Sequence, residues 1–121
     1  MRLKPIIWMR SSLADLKRFP KGAQHRIGFA LKFAQAGEKH ANAKPLKGFG
    51  GTGVLEIVED FAGDAYRAVY TIKFEEAIYV LHAFQKKSKS GISTPKREMD
   101  LIGERLKRAV EMHLWRKHEP K

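Results

Sequence analysis

Hydrophobic positions along the chain change their period several times, and each change marks an element. Ile6, Ile7 and Trp8 form a short apolar run behind Pro5, which predicts a first strand over roughly residues 3–9. Ser11 or Ser12 then caps a helix, and Ser12 with Asp15 three residues on has the spacing of a capping box. Leu13, Leu16 and Phe19 give that helix an apolar stripe, and Pro20 ends it because a residue before proline is driven out of the helical region. Ile27, Ala30, Leu31 and Ala34 recur at helical spacing and predict a second helix over about 21–36, stopped by Gly37.

The period is lost from Glu38 to Gly53, where Pro45, Gly48, Gly50 and Gly51 predict irregular chain. Three strands follow with short connections. The first covers about 54–60 and turns at Phe61-Ala-Gly-Asp64. The second covers about 65–73, with Tyr66, Ala68, Tyr70 and Ile72 on one face and Arg67, Val69 and Thr71 on the other. The third begins at Tyr79. Its apolar residues fall on odd and even positions alike, interrupted by His82, so it is expected to be covered on both faces and central in the sheet. A last helix starts with Thr94 as N-cap and Pro95 at the first helical position. It carries Met99, Ile102, Leu106, Ala109 and His113 to about 114, with 115–121 frayed. The pattern is α+β: an N-terminal strand, a helical hairpin, a three-strand antiparallel meander and a C-terminal helix, in one domain of 121 residues.

Charge adds what the apolar pattern cannot. There are 24 Lys+Arg against 13 Asp+Glu, a net charge of +11, which points to a polyanionic partner. The excess is local. Residues 1–37 hold eight basic residues and one acid, and residues 86–121 hold eleven against five. The acids Glu56, Glu59, Asp60 and Asp64 gather in the first hairpin, where they would keep its edge soluble. No cysteine is present, which excludes disulfides, thiol chemistry and cysteine-based zinc sites. The histidines lack ligand spacing, so neither a metal nor another cofactor is expected. No segment has the length of a bilayer span or the apolar core of a signal peptide; the expected location is the cytoplasm. The run GFGGTG invites comparison with a phosphate loop. Such a loop continues into Lys-Ser/Thr and a helix, whereas Val54–Val58 reads as strand.

The candidate chemistry gathers at YVLHAFQKKSK, where a buried strand ends in a cationic run. RNA cleavage by internal transfer needs the 2′-hydroxyl deprotonated, the phosphoryl oxygens neutralised and the leaving 5′-oxygen protonated. Arg67, Lys86 and Lys87 supply charge, and His82 titrates in the range for proton transfer. Lys44, Lys47, Gln85 and Lys89 are candidate RNA contacts. Arg67 could instead pair with an acid such as Asp64, and His82 could be a hydrogen-bonded core residue.

The order of elements, with SSLADLKRFP, KPLKGFGGTGVLEI, GDAYRAVY and YVLHAFQKKSKSGISTP, resembles the RelE/ParE superfamily of bacterial toxins, in its HigB-like, phage-derived branch. The resemblance spans about residues 5–112 and implies a microbial ribonuclease-like fold. It implies cleavage of mRNA on the ribosome and neutralisation by a helix-turn-helix antitoxin. It places Arg67 at the scissile phosphate and Lys86 and Lys87 beside it. RelE carries lysines on the strand that here reads LEIVED, where Glu56 and Val58 stand instead, and Lys44 and Lys47 could restore that charge. Two other functions remain open: gyrase poisoning of the ParE kind, and a basic RNA- or ribosome-binding domain without activity.

Overall fold

The computed structural model describes residues 2–51, 53–86 and 94–117. The chain runs β1 (Ile6–Trp8), α1 (Ser12–Lys17), α2 (Lys21–Gln35), β2 (Ala43–Pro45), β3 (Val54–Phe61), β4 (Asp64–Thr71), β5 (Ile78–Lys86) and α3 (Lys96–Lys117). The expected meander is β3-β4-β5, all antiparallel. Two short strands extend it into one five-stranded sheet of order β1-β5-β4-β3-β2. β1 pairs parallel to β5, and β2 pairs antiparallel to β3. β2 lies within the stretch expected to be irregular; three residues ending in Pro45 are too few to show a period, and a proline suits a sheet edge. β5 is interior as expected, between β1 and β4, while the middle strand is β4.

The helical hairpin covers one face of the sheet. Ala23, Ile27, Ala30, Leu31 and Ala34 of α2 are buried against Leu55, Ile57, Tyr66, Ala68, Tyr70, Ile78 and Val80. Burying Ile27 or Leu31 contributes on the order of 2–3 kcal/mol each. α2 ends as a Schellman motif. Gly37 takes φ +83, its N–H bonds the Ala34 carbonyl, and the Glu38 N–H reaches back to Phe33 at 2.8 Å. α1 begins without the expected capping box. Ser11 is the N-cap, its hydroxyl donating to Asp15 Oδ2 at 2.8 Å. Ser12 is fully buried, and its hydroxyl bonds the Val80 carbonyl, which ties α1 to β5.

α3 covers the other face. Ile102 and Ala109 are completely buried in a second core with Met9, Val54, Val69, Tyr79, Leu81 and Phe84. The helix opens one residue later than expected, with the Met99 N–H bonded to the Pro95 carbonyl. It continues to Lys117, so Trp115–Lys117 are helical rather than frayed. The first hairpin turns on Ala62 (φ +53) and Gly63 (φ +88), between paired Phe61 and Asp64. Two central residues at positive φ give the twist a two-residue hairpin needs. Ile72 lies past the end of β4 and is exposed, not on the Tyr66 face. None of the described helices is long and apolar enough to cross a membrane.

Candidate active site

The site depends on one extra residue in β5. Val69 pairs with His82, but Tyr70 pairs with Val80, so Leu81 is a bulge that opposes no residue of β4. Before the bulge, Ile78 and Val80 face the helical hairpin, and Tyr79 and Leu81 face α3. Strict alternation would then turn His82, Phe84 and Lys86 toward the hairpin. The bulge reverses the phase, so Phe84 joins the α3 core and Ala83 the hairpin core. His82 and Lys86 follow Phe84 onto the face that carries Arg67. Gln85 pairs with Tyr66, whose side chain lies in the hairpin core, so it belongs to the opposite face. The structure thus separates Gln85 from the other candidates.

Arg105 of α3 holds the bulge. Its Nη1 donates to the Leu81 carbonyl at 2.9 Å and stands 3.3 Å from His82 Nδ1, while Nη2 donates to Ser11 Oγ at 3.3 Å. Glu98, two helical turns earlier, accepts from His82 Nε2 at 3.1 Å. A guanidinium has only donors, so Nδ1 must be the acceptor and Nε2 the protonated nitrogen. Burial holds the imidazole below its ordinary value; Arg105 adds to this, and Glu98 and Asp15 oppose it. The ring also stacks on Phe84 with centroids 4.9 Å apart. His82 is therefore a neutral strut between β5 and α3, with both nitrogens engaged.

Arg67 sits on the same face, 6% exposed. Its Nη1 donates to Glu56 Oε2 at 3.0 Å and lies 3.5 Å from Thr94 Oγ1. Arg67 pairs in register with Val58, which makes Glu56 its diagonal neighbour on β3. Asp64, the sequence-based candidate, is at the far end of the hairpin. Glu56 is 5% exposed and Glu59 likewise, so neither serves as a solubilising charge; Glu59 accepts from Asn42 at 2.7 Å. Arg67 Nε is buried and has no hydrogen-bond partner among the described residues.

Lys86 pairs in register with Ala65, also on this face, and is 6% exposed. Desolvation lowers its ammonium below the ordinary lysine value, repulsion from Arg67 lowers it further, and Glu56 works in the opposite direction. Lys44 stands directly across from Glu56 in the β2–β3 pair. Lys44 and Lys47 line a groove of about 360 Å³ with Pro45, Leu46, Glu56, Thr94 and Met99. Arg67, Lys86, Lys44 and Lys47 are thus gathered along one side of the sheet. Lys87 and Lys89 lie outside the described residues. No group of His, Asp and Glu able to hold a metal occurs among the described residues. The sequence reading missed Glu98 and Arg105, whose helical spacing of seven was visible but whose target was not.

Glu56 and Arg67 form a buried pair, so removing one partner strands the other. Glu56→Ala is expected to cost about 3–5 kcal/mol. Replacing both, as Glu56→Leu with Arg67→Met, should recover most of that loss, as read from urea unfolding. His82 gives a second check. Its folded value is depressed, so its contribution to stability is complete above about pH 6.5, the ordinary value, and is lost as pH falls through the lower folded value. The urea midpoint should drop between pH 7.5 and 5.5, and His82→Gln should reduce that drop.

A family model described as "Phage derived protein Gp49-like (DUF891)" matches residues 14–107. No curated protein matches the chain. Among solved structures, the free state of a doubly arginine-substituted mutant of the Escherichia coli toxin RelE is similar. It is 16% identical, covers 89% of this chain and 98% of that one, and has a TM-score of 0.56. A chain of the toxin–antitoxin complex RelBE2 from Mycobacterium tuberculosis is 18% identical, covers 73% of this chain and 97% of that one, and gives a TM-score of 0.44. The α+β sheet with helices on both faces is thus a RelE-type fold, and the chain belongs to the Gp49-like family of phage-derived proteins.

Proposed function

We infer that this protein is the toxin of a toxin–antitoxin pair, of the HigB-like kind, and that it cleaves mRNA on the ribosome. The observation that carries this is the convergence of Arg67 and Lys86 on one face of the sheet, with a buried Arg67 Nε that has no hydrogen-bond partner among the described residues. Arg67 and Lys86 are close enough for repulsion to lower the Lys86 ammonium, and an anion bound by both would relieve that repulsion. The RelE-type fold and the net charge of +11 support the same reading.

The chemistry is internal transfer. Arg67 and Lys86 hold the non-bridging oxygens of the scissile phosphate and stabilise the charge that develops as the 2′-oxygen attacks. Lys87 adds to this charge. Lys86, whose ammonium is lowered by desolvation and by Arg67, is a candidate to pass the proton, alongside a group of the ribosome. His82, with both nitrogens committed, acts by holding the β5 bulge against α3. Lys44, Lys47 and Lys89 carry the flanking backbone, and the ribosome aligns the message, which lets an incomplete set of catalytic groups suffice. A helix-turn-helix antitoxin would neutralise the chain in the cytoplasm.

The test is primer extension on mRNA bound to programmed ribosomes. Wild-type protein should produce discrete cuts, and Arg67→Ala and Lys86→Ala should each lower the rate about a hundredfold or more. Undiminished cleavage by both variants contradicts the assignment. Growth inhibition without cuts, together with inhibition of purified gyrase, would instead establish the ParE-like alternative.

A further inference from the structure

The groove beside Arg67 has a composition that phosphate binding does not explain. It is lined by Glu56 and Thr94, by the apolar Pro45, Leu46 and Met99, and by Lys44 and Lys47. A buried carboxylate repels a phosphate. Glu56 is 5% exposed, and Arg67 uses one of its roughly four acceptor positions. The apolar side chains suit a flat ring, the carboxylate suits an N–H donor, and the lysines suit the flanking phosphates.

We propose that the groove between β2 and the start of α3 is a base-reading subsite, in which Glu56 accepts a hydrogen bond from the amino group of one RNA base next to the cut. The inference rests on the reading of this face as an RNA site. Cytosine, adenine and guanine each present an amino group; uracil presents a carbonyl at the position of the cytosine amine. Its oxygen would face the carboxylate, leaving both acceptors unsatisfied. Glu56 thereby acts twice: it holds Arg67 for the phosphate and disfavours uracil, whose remaining donor is its N3–H, at the neighbouring position. The Thr94 hydroxyl, 3.5 Å from Arg67 Nη1, joins the two parts of the site.

Binding of uncleavable RNA separates this claim from the nuclease claim. Fluorescence anisotropy would be recorded for 2′-O-methyl tetranucleotides, one of uridine alone and others with a single A, C or G at each position in turn. Wild-type protein should bind the best amino-bearing oligomer about tenfold more tightly than the uridine oligomer. Glu56→Gln, which keeps shape but adds an amide donor, should bring the two within about twofold. Equal binding by wild type overturns the subsite, and this needs no variant to fold. A preference that survives Glu56→Gln overturns the assignment to Glu56. Absence of oligomer binding also overturns it, while ribosome-dependent cleavage in the same preparation would leave the nuclease reading standing. A base preference without cleavage would do the reverse.

Discussion

The bulge at Leu81 is the constraint on which the site depends. A strand alternates its side chains with period two, so one extra residue reverses the face of everything after it. Ile78 and Val80 are needed in the core under α1 and α2, and Phe84 is needed in the core under α3. No unbroken strand satisfies both. The bulge does, and it brings Lys86 to the side that holds Arg67. The unpaired Leu81 carbonyl is then satisfied by Arg105, which also fixes the tautomer of His82 and reaches Ser11 at the head of α1. One guanidinium thereby connects both helical layers to the irregular point of the sheet.

The second organising feature is the balance of charge. Arg67 and Lys86 are both nearly buried, and each penalises the other. Glu56 offsets part of that repulsion. Lys44 and Lys47, on the edge strand and its extension, line the groove beside Glu56. A buried ion pair is weak evidence for stability but fixes orientation well when its remaining polar atoms are met. Here Arg67 Nε is left unmet among the described residues.

Much of the fold was legible in the sequence. The helix of Ile27 to Ala34, its Gly37 stop and the β3-β4-β5 meander follow from periods of 3.6 and 2, which are local properties. Arg67 on the face of Val69 followed from the same alternation. What alternation could not reach was anything set by pairing partners. β2 is three residues long and exists only because β3 offers an edge. The phase of His82 and Lys86 depends on a bulge whose cause lies in two separate cores. Gln85, beside Lys86 in sequence, is on the other face for the same reason. Glu56 and Glu59 read as surface acids in a hairpin and are buried, because their partners come from elsewhere: Arg67 from β4 and Asn42 from the turn before β2. The histidine looked suited to proton transfer from composition alone, and its engagement on both nitrogens needs α3 in place.

The central claim is that this cationic face stabilises attack by the 2′-oxygen on the adjacent phosphate. The most direct measurement uses ribosome-bound mRNA carrying a single 2′-deoxynucleotide on the 5′ side of a mapped cut, with fragment ends analysed chemically. The account predicts that the deoxy position resists cleavage and that the unmodified message yields a 2′,3′-cyclic or 3′-phosphate end. Cleavage of the deoxy position at the unmodified rate would contradict it.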